Sequence, residues 1–157
     1  MYERAKTVCF TGHRKLLEPR QDIERKLEEV VRECIANGAR TFITGGAIGF
    51  DTIAAQLIIR LRTEFPNIVF ALALPCPPEQ QTLKWTDEQK AEYNAIYQQA
   101  DFVKIVSDRY TSDCMFARNR LMVDRSGILI SYLRKDSGGT LYTVNYGRKQ
   151  GLTIISI

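Results

Sequence analysis

The sequence predicts one α/β domain of three layers, with a mainly parallel sheet of about six strands, and three observations carry that expectation. Short apolar runs alternate with segments whose apolar residues recur at helical spacing. Glycine-bearing turns come after the runs, at Thr11-Gly12-His13-Arg14, at Thr44 to Asp51 and at Ser137-Gly138-Gly139-Thr140. One run, Ile68 to Leu74, is apolar without alternation, as a strand covered on both faces is. At 157 residues, 45% hydrophobic and 25% charged, the chain suits a single domain spanning 1–157.

Thr7 to Phe10 is a β-type run, and Ile23, Leu27, Val30, Val31, Cys34 and Ile35 then mark one helix face until Gly38 stops it. Thr41 to Thr44 is the second strand. After the glycine turn, Phe50, Ile53, Ala54, Leu57, Ile58, Leu61 and Phe65 share a face, and Pro66 ends that helix. Ile68 to Leu74 is the third strand, and Pro75, Pro77 and Pro78 turn the next segment into a loop, the longest in the chain. Thr86 and Gln89 have capping-box spacing and open a helix to about Ala100, before the strand Phe102 to Val106. Met115 to Arg125 reads as helix, Ile128 to Tyr132 as strand, Leu141 to Lys149 as a helix ended by Gly151, and Leu152 to Ile157 as the last strand. That makes six strands and five helices with right-handed crossovers.

Composition narrows the function classes. The 22 Lys and Arg against 18 Asp and Glu give +4, spread along the chain, which permits a polyanionic partner without arguing for one. Met1 to Lys6 leads into an apolar run too short for a signal peptide, and no run is long enough to span a bilayer, so a cytoplasmic protein without membrane contact is expected. Cys9, Cys34, Cys76 and Cys114 show no CxxC pair and His13 is the single histidine, so the thiols read as reduced and buried, and no metal is expected.

Parallel strands open their C-terminal ends on one edge, so glycine turns far apart in sequence converge there, and the free amides of the helices they start favour an anion. That layout is a nucleotide site. Gly138, Gly139 and Thr140 are assigned the phosphate, because no acidic residue comes after them in the chain. Gly45, Gly46, Gly49 and Asp51 are assigned the ribose hydroxyls, with Asp51 accepting; a helix-start acid is the alternative for Asp51. Gly12, His13 and Arg14 form the first turn. Arg14 and Arg118 offer forked donors from the ligand edge, and His13 is either a phosphate donor, an acid or base, or a packing residue. Trp85, beside Gln80, Gln81 and Lys84, is either a base-stacking lid or core. Tyr93, Ile96, Tyr97 and Ala100 form a core or subunit-facing stripe, and Met115, Phe116, Leu121 and Met122 suit the same role.

Thr11 to Arg14, Gly45 to Asp51 with Ala54-Ala55, Arg118-Asn119-Arg120 through Ser126, and Gly138-Gly139-Thr140 together resemble the YpsA-like branch of the SLOG superfamily. That superfamily joins the Rossmann-like domain of DprA to the LOG phosphoribohydrolases, and the likeness covers essentially the whole chain. It implies a Rossmann-like fold, a pocket for a nucleotide or nucleotide derivative in which Arg118 and Asn119 take part, no required cofactor, and dimers formed through the helices. The LOG enzymes carry Pro-Gly-Gly-x-Gly-Thr and then a catalytic glutamate. Here Ser137-Gly138-Gly139-Thr140-Leu141-Tyr142-Thr143 lacks the later glycine, and no acidic residue occurs after Asp136. The leading function is therefore a binder or sensor of an ADP-ribose-like, NAD-like or nucleoside-phosphate ligand, with the catalytic residues unassigned. Two alternatives stand beside it: an N-glycohydrolase using Asp51, Asp124 or another carboxylate, and a DprA-like single-stranded nucleic-acid module, although no basic run with interleaved aromatics is present.

Overall fold

A computed structural model describes residues 3–157. Its centre is β1 (Thr7–Gly12), whose Thr7, Val8, Cys9 and Phe10 are all fully buried because helices cover both faces of the sheet. Five further strands, β2 (Thr41–Thr44), β3 (Val69–Leu74), β4 (Phe102–Ile105), β5 (Ile128–Tyr132) and β6 (Thr153–Ser156), complete one parallel sheet in the order β4-β3-β2-β1-β5-β6.

Alternation along β1 divides the core. Val8 and Phe10 face one layer with Phe42, Phe50 and Tyr132, while Cys9 faces the other with Val123, Leu129 and Val144. The first layer holds α1 (Arg20–Ala36), α2 (Phe50–Glu64) and α4 (Asp87–Gln99); the second holds α5 (Cys114–Asp124) and α6 (Gly139–Lys149). In α1 the helical spacing of Ile23, Leu27 and Val31 places all three in the first core. The Thr86 and Gln89 capping box closes reciprocally at the start of α4, at 3.1 and 3.0 Å. All four cysteines are free and buried, and among the described residues no helix is long and apolar enough to cross a membrane.

One expectation needs correction. The Pro75 to Trp85 segment is not loop throughout: Pro78 takes the first position of a one-turn helix, α3 (Pro78–Gln81), where its missing amide costs nothing. Of the two readings left open for the stripe on α4, the core one holds, since Tyr93 and Ile96 are buried and Tyr97 and Ala100 pack on the same core.

Exposed apolar surface lies instead on the edge strand β4, where Phe102 is 67% exposed and Val103 and Ile105 are also open. Among the described residues only α5 and α6 cover that face of the sheet, leaving a groove of about 510 Å³ between β2, β3, β4 and the Leu121 side of α5.

The chain steps outward from β1 to β4 with helices on one face, then returns by α5 on the other face to lay β5 against the opposite side of β1. The gap between the C-terminal ends of β1 and β5 is thus the topological switch point, where open α/β sheets hold ligands.

Candidate functional site

A crevice of about 380 Å³ opens at that point. Its first wall is the segment after β1. The carbonyl of His13 accepts from the Phe50 amide at 3.1 Å, and its Nε2 accepts from the Arg134 amide at 2.8 Å. An imidazole that accepts at Nε2 carries its proton on Nδ1, so His13 has a donor left for a ligand. Burial, then the charges of Lys135 and Arg134, hold its pKa below the usual histidine value and keep the ring neutral at pH 7. Its edge meets Tyr132 at 5.8 Å.

Tyr132 fixes this wall. Its hydroxyl accepts from the Leu17 amide at 2.9 Å and donates to Glu18 Oε2 at 3.0 Å, while Arg134 Nε donates to Glu18 Oε1 at 2.8 Å and its guanidinium lies 4.3 Å from the Tyr132 ring centre. Hydrogen bonding from Arg134 holds the Glu18 carboxyl below its ordinary value. The loop between β1 and α1 is therefore tied to the loop after β5.

The floor comes from α2 and α5. Arg118, at 5% exposure, donates from Nη1 to the Gly45 carbonyl and from Nε to Asn119 Oδ1 at 2.7 Å. That bond takes one of the two lone pairs of the Asn119 oxygen, and its NH2 is the donor end of the amide. Asp51, at 7% exposure, accepts from the Ala47 amide at 3.2 Å on Oδ2. Burial raises its pKa, and the Arg118 charge and the amides of Ala47 and Gly45 oppose that rise. Burial likewise pulls the Arg118 pKa down against Asp51. A β-carbon at Gly45 would lie 2.5 Å from Arg118 Nη1 and 2.9 Å from Asp51 Oδ2, so a larger residue there has to displace the buried ends of both side chains.

The remaining wall is the start of α6. Gly138 is its N-cap at φ 96°, a conformation that favours glycine, and the first turn contains no acid. Thr143 Oγ1 donates back to the Gly139 carbonyl at 2.8 Å, and a β-carbon on Gly139 would meet nothing within 4 Å, so there is room beside this end of the helix, whose first amides have no partner within the helix.

The crevice brings together Gly12, His13 and Arg14 from the first turn, Asp51, Arg118 and Asn119 from the floor, and Gly138, Gly139 and Thr140 from the last. Gly45, Gly46 and Gly49 do not line it. Gly45 lies beneath Arg118 and Asp51, Gly46 accepts from Gln81 Nε2 beside Leu74 and Tyr93, and Gly49 caps α2 against the Arg14 backbone. Trp85 is away from the crevice, edge-on to Tyr93 at 5.5 Å. Asp124 is also absent from the lining and accepts from the Tyr146 hydroxyl at 2.7 Å. Arg118 is a buried structural group as well as a crevice residue. Lys135, Ser137 and Thr11 also line the crevice. Their signal in the sequence is adjacency to the glycine turns, which motif spacing alone does not register.

The model described as YspA SLOG family (YpsA) matches residues 10–151. A UPF0398 protein of Bacillus licheniformis is 26% identical over 130 residues, covering 81% of this chain and 70% of that protein. One of Shouchella clausii is 30% identical over 126 residues, covering 78% and 66%. DNA processing protein A from Streptococcus pneumoniae superposes with a TM-score of 0.71 at 16% identity, and that from Helicobacter pylori, described by its single-stranded DNA binding mode, with 0.67 at 19%. These cover 97% and 98% of this chain but only 50% and 65% of the two larger proteins, and the likeness is one of fold.

Proposed function

The chain belongs to the YspA SLOG family, and from that premise and the chemistry of the crevice we propose that it binds a phosphate-bearing, nucleotide-type small molecule as a binding or sensing protein. One observation carries the reading: the nitrogen groups lining the crevice are left with donors only. His13 has Nδ1–H, Asn119 has its NH2, Arg14 and Lys135 are cations, and the start of α6 adds amides. Arg14, Arg118 and Lys135 outnumber the one carboxylate, Asp51, so an anion relieves a positive excess. Mass spectrometry of small molecules released from the purified protein tests this. A retained or added nucleoside phosphate, ADP-ribose or NAD-like compound is the expected finding; none retained and none bound on titration contradicts it.

Fold likeness to the H. pylori protein supports a second reading, in which the phosphate belongs to single-stranded nucleic acid. An oligonucleotide that displaces AMP from the crevice and binds more tightly than AMP favours it. An N-glycohydrolase would depend on Asp51 for acid or base work, since it is the carboxylate of the lining; release of free base from AMP or ADP-ribose, abolished by Asp51→Asn, is its test.

A further inference from the structure

We infer that Cys76 and Cys114 are an oxidation site, which hydrogen peroxide converts to one intramolecular disulfide between the loop after β3 and the start of α5, and which a thiol reductant restores. This stands apart from the ligand reading, since it concerns two side chains that the crevice chemistry does not use.

The four cysteines are all buried, but in two different settings. Cys34 packs in the first hydrophobic core and Cys9 in the second, as small apolar residues do, whereas Cys76 and Cys114 belong to neither. They meet each other instead. The Pro75 carbonyl accepts from the Ser107 amide at 3.2 Å, and Gln80 Oε1 from the Tyr110 amide at 2.6 Å. The segment after β4 is thus laid along the loop after β3 and delivers Cys114 to Cys76, with the two thiols within hydrogen-bonding reach of one another. A pair at that range needs little backbone movement to reach disulfide geometry. Cys9 and Cys34 lie on opposite sides of the sheet, so they do not form a competing pair.

The two sulfurs have different roles. Cys114 is the first residue of α5 and its Sγ accepts from the Thr111 amide at 3.5 Å, which suits it to attack the peroxide. Its sulfur takes one oxygen, the O–O bond breaks and water leaves, giving a sulfenic acid. Burial, and then the neighbouring Cys114, push the Cys76 thiol up, so it keeps its proton and acts second. The Cys76 sulfur bonds to that of Cys114, the S–O bond breaks, and the displaced hydroxide leaves with the Cys76 proton as water. Two thiols lose two electrons in all, and one hydrogen peroxide becomes two waters. Access depends on opening of residues 107–113, the largely exposed segment that meets Cys114 through Thr111. The bridge bears on the crevice floor, because Arg118 and Asn119 follow Cys114 by one turn of the same helix.

Mass spectrometry of the folded protein after exposure to hydrogen peroxide tests the inference. The intact mass is expected to fall by about 2 Da, two hydrogens per bridge. Peptide mapping without reductant is expected to join Cys76 to Cys114 and to leave Cys9 and Cys34 as thiols, and dithiothreitol is expected to separate the joined peptides. Cys76→Ser and Cys114→Ser are each expected to abolish the bridge and Cys34→Ser to keep it; the wild-type map decides even if a variant does not fold. Four intact thiols after an exposure that oxidises free glutathione overturn the inference. So does a bridge that uses Cys9 or Cys34 or joins two chains, or an unbridged oxidised sulfur at Cys76 or Cys114.

Discussion

Arg118 of α5 donates to the carbonyl of Gly45, 73 residues earlier at the end of β2, and so ties the second helical layer to the turn that begins α2. Asp51 lies against the same glycine, its Oδ2 crowding the same β-carbon position as the Arg118 guanidinium. The crevice floor is therefore part of the core, and its chemistry is inseparable from stability.

Arg118→Ala is expected to destabilise the protein by about 3 kcal/mol, because it strands the buried Asp51 carboxylate and the Gly45 carbonyl together. Urea denaturation measures it. A loss below about 0.5 kcal/mol, the range of a surface change, contradicts the buried role.

Tyr132→Phe removes a hydroxyl that serves Leu17 and Glu18, and is expected to cost about 1–2 kcal/mol and to loosen the wall carrying His13. Hydrogen exchange is expected to rise in residues 13–19 before it rises in β1. Unchanged exchange there contradicts the link.

His13 sets a pH dependence. Its folded pKa lies below the ordinary 6.5, so on acidification the unfolded chain takes the proton first. The stabilisation is present above pH 6.5 and is lost as pH falls through the lower folded value. Between pH 7.5 and 5.5 the wild type is expected to lose more stability than His13→Gln, whose amide oxygen can still accept from Arg134. The raised Asp51 pKa acts in the opposite sense but is common to both proteins. Parallel melting curves across that window contradict the prediction.

Self-association, expected from the family likeness, is proposed to use the β4 face rather than α4, since Tyr93 and Ile96 are spent inside the chain's own core. Sedimentation at micromolar concentration is expected to give a dimer for the wild type and a monomer for Phe102→Asp, with the melting temperature almost unchanged. A wild-type monomer contradicts it.

Periodicity makes the sheet and the long helices legible, because Val8 to Phe10 and the Ile23, Leu27, Val31 stripe bury what their spacing says they bury, whereas the run Ile68 to Leu74, expected to be covered on both faces, leaves Val69 and Ala71 half-buried in the groove beside β4. Strand order, and with it the switch point, depends on pairing across the whole chain, which local pattern does not encode. Nine of the twelve candidate positions meet at the crevice because each comes after a C-terminal strand end or faces one. Gly45, Gly46 and Gly49 have the spacing of a ligand loop, whereas Gly45 makes room for Arg118 and Gly49 for the Arg14 backbone. Sequence spacing does not distinguish a glycine that admits a ligand from one that admits a neighbouring side chain. The burial of Arg118 is hidden for the same reason: its partner lies 73 residues away.

Gly139→Asp gives the most direct test of the phosphate site. A β-carbon there meets nothing within 4 Å and the residue has no left-handed φ, so the fold is expected to tolerate the change, while the new carboxylate brings a negative charge to the helix start that would hold the anion. Calorimetry of AMP and ADP-ribose against wild type and variant, at matched melting temperature, is the measurement. Binding of at least one of them by the wild type and none by the variant is expected; equal binding by both proteins would contradict a phosphate at the start of α6.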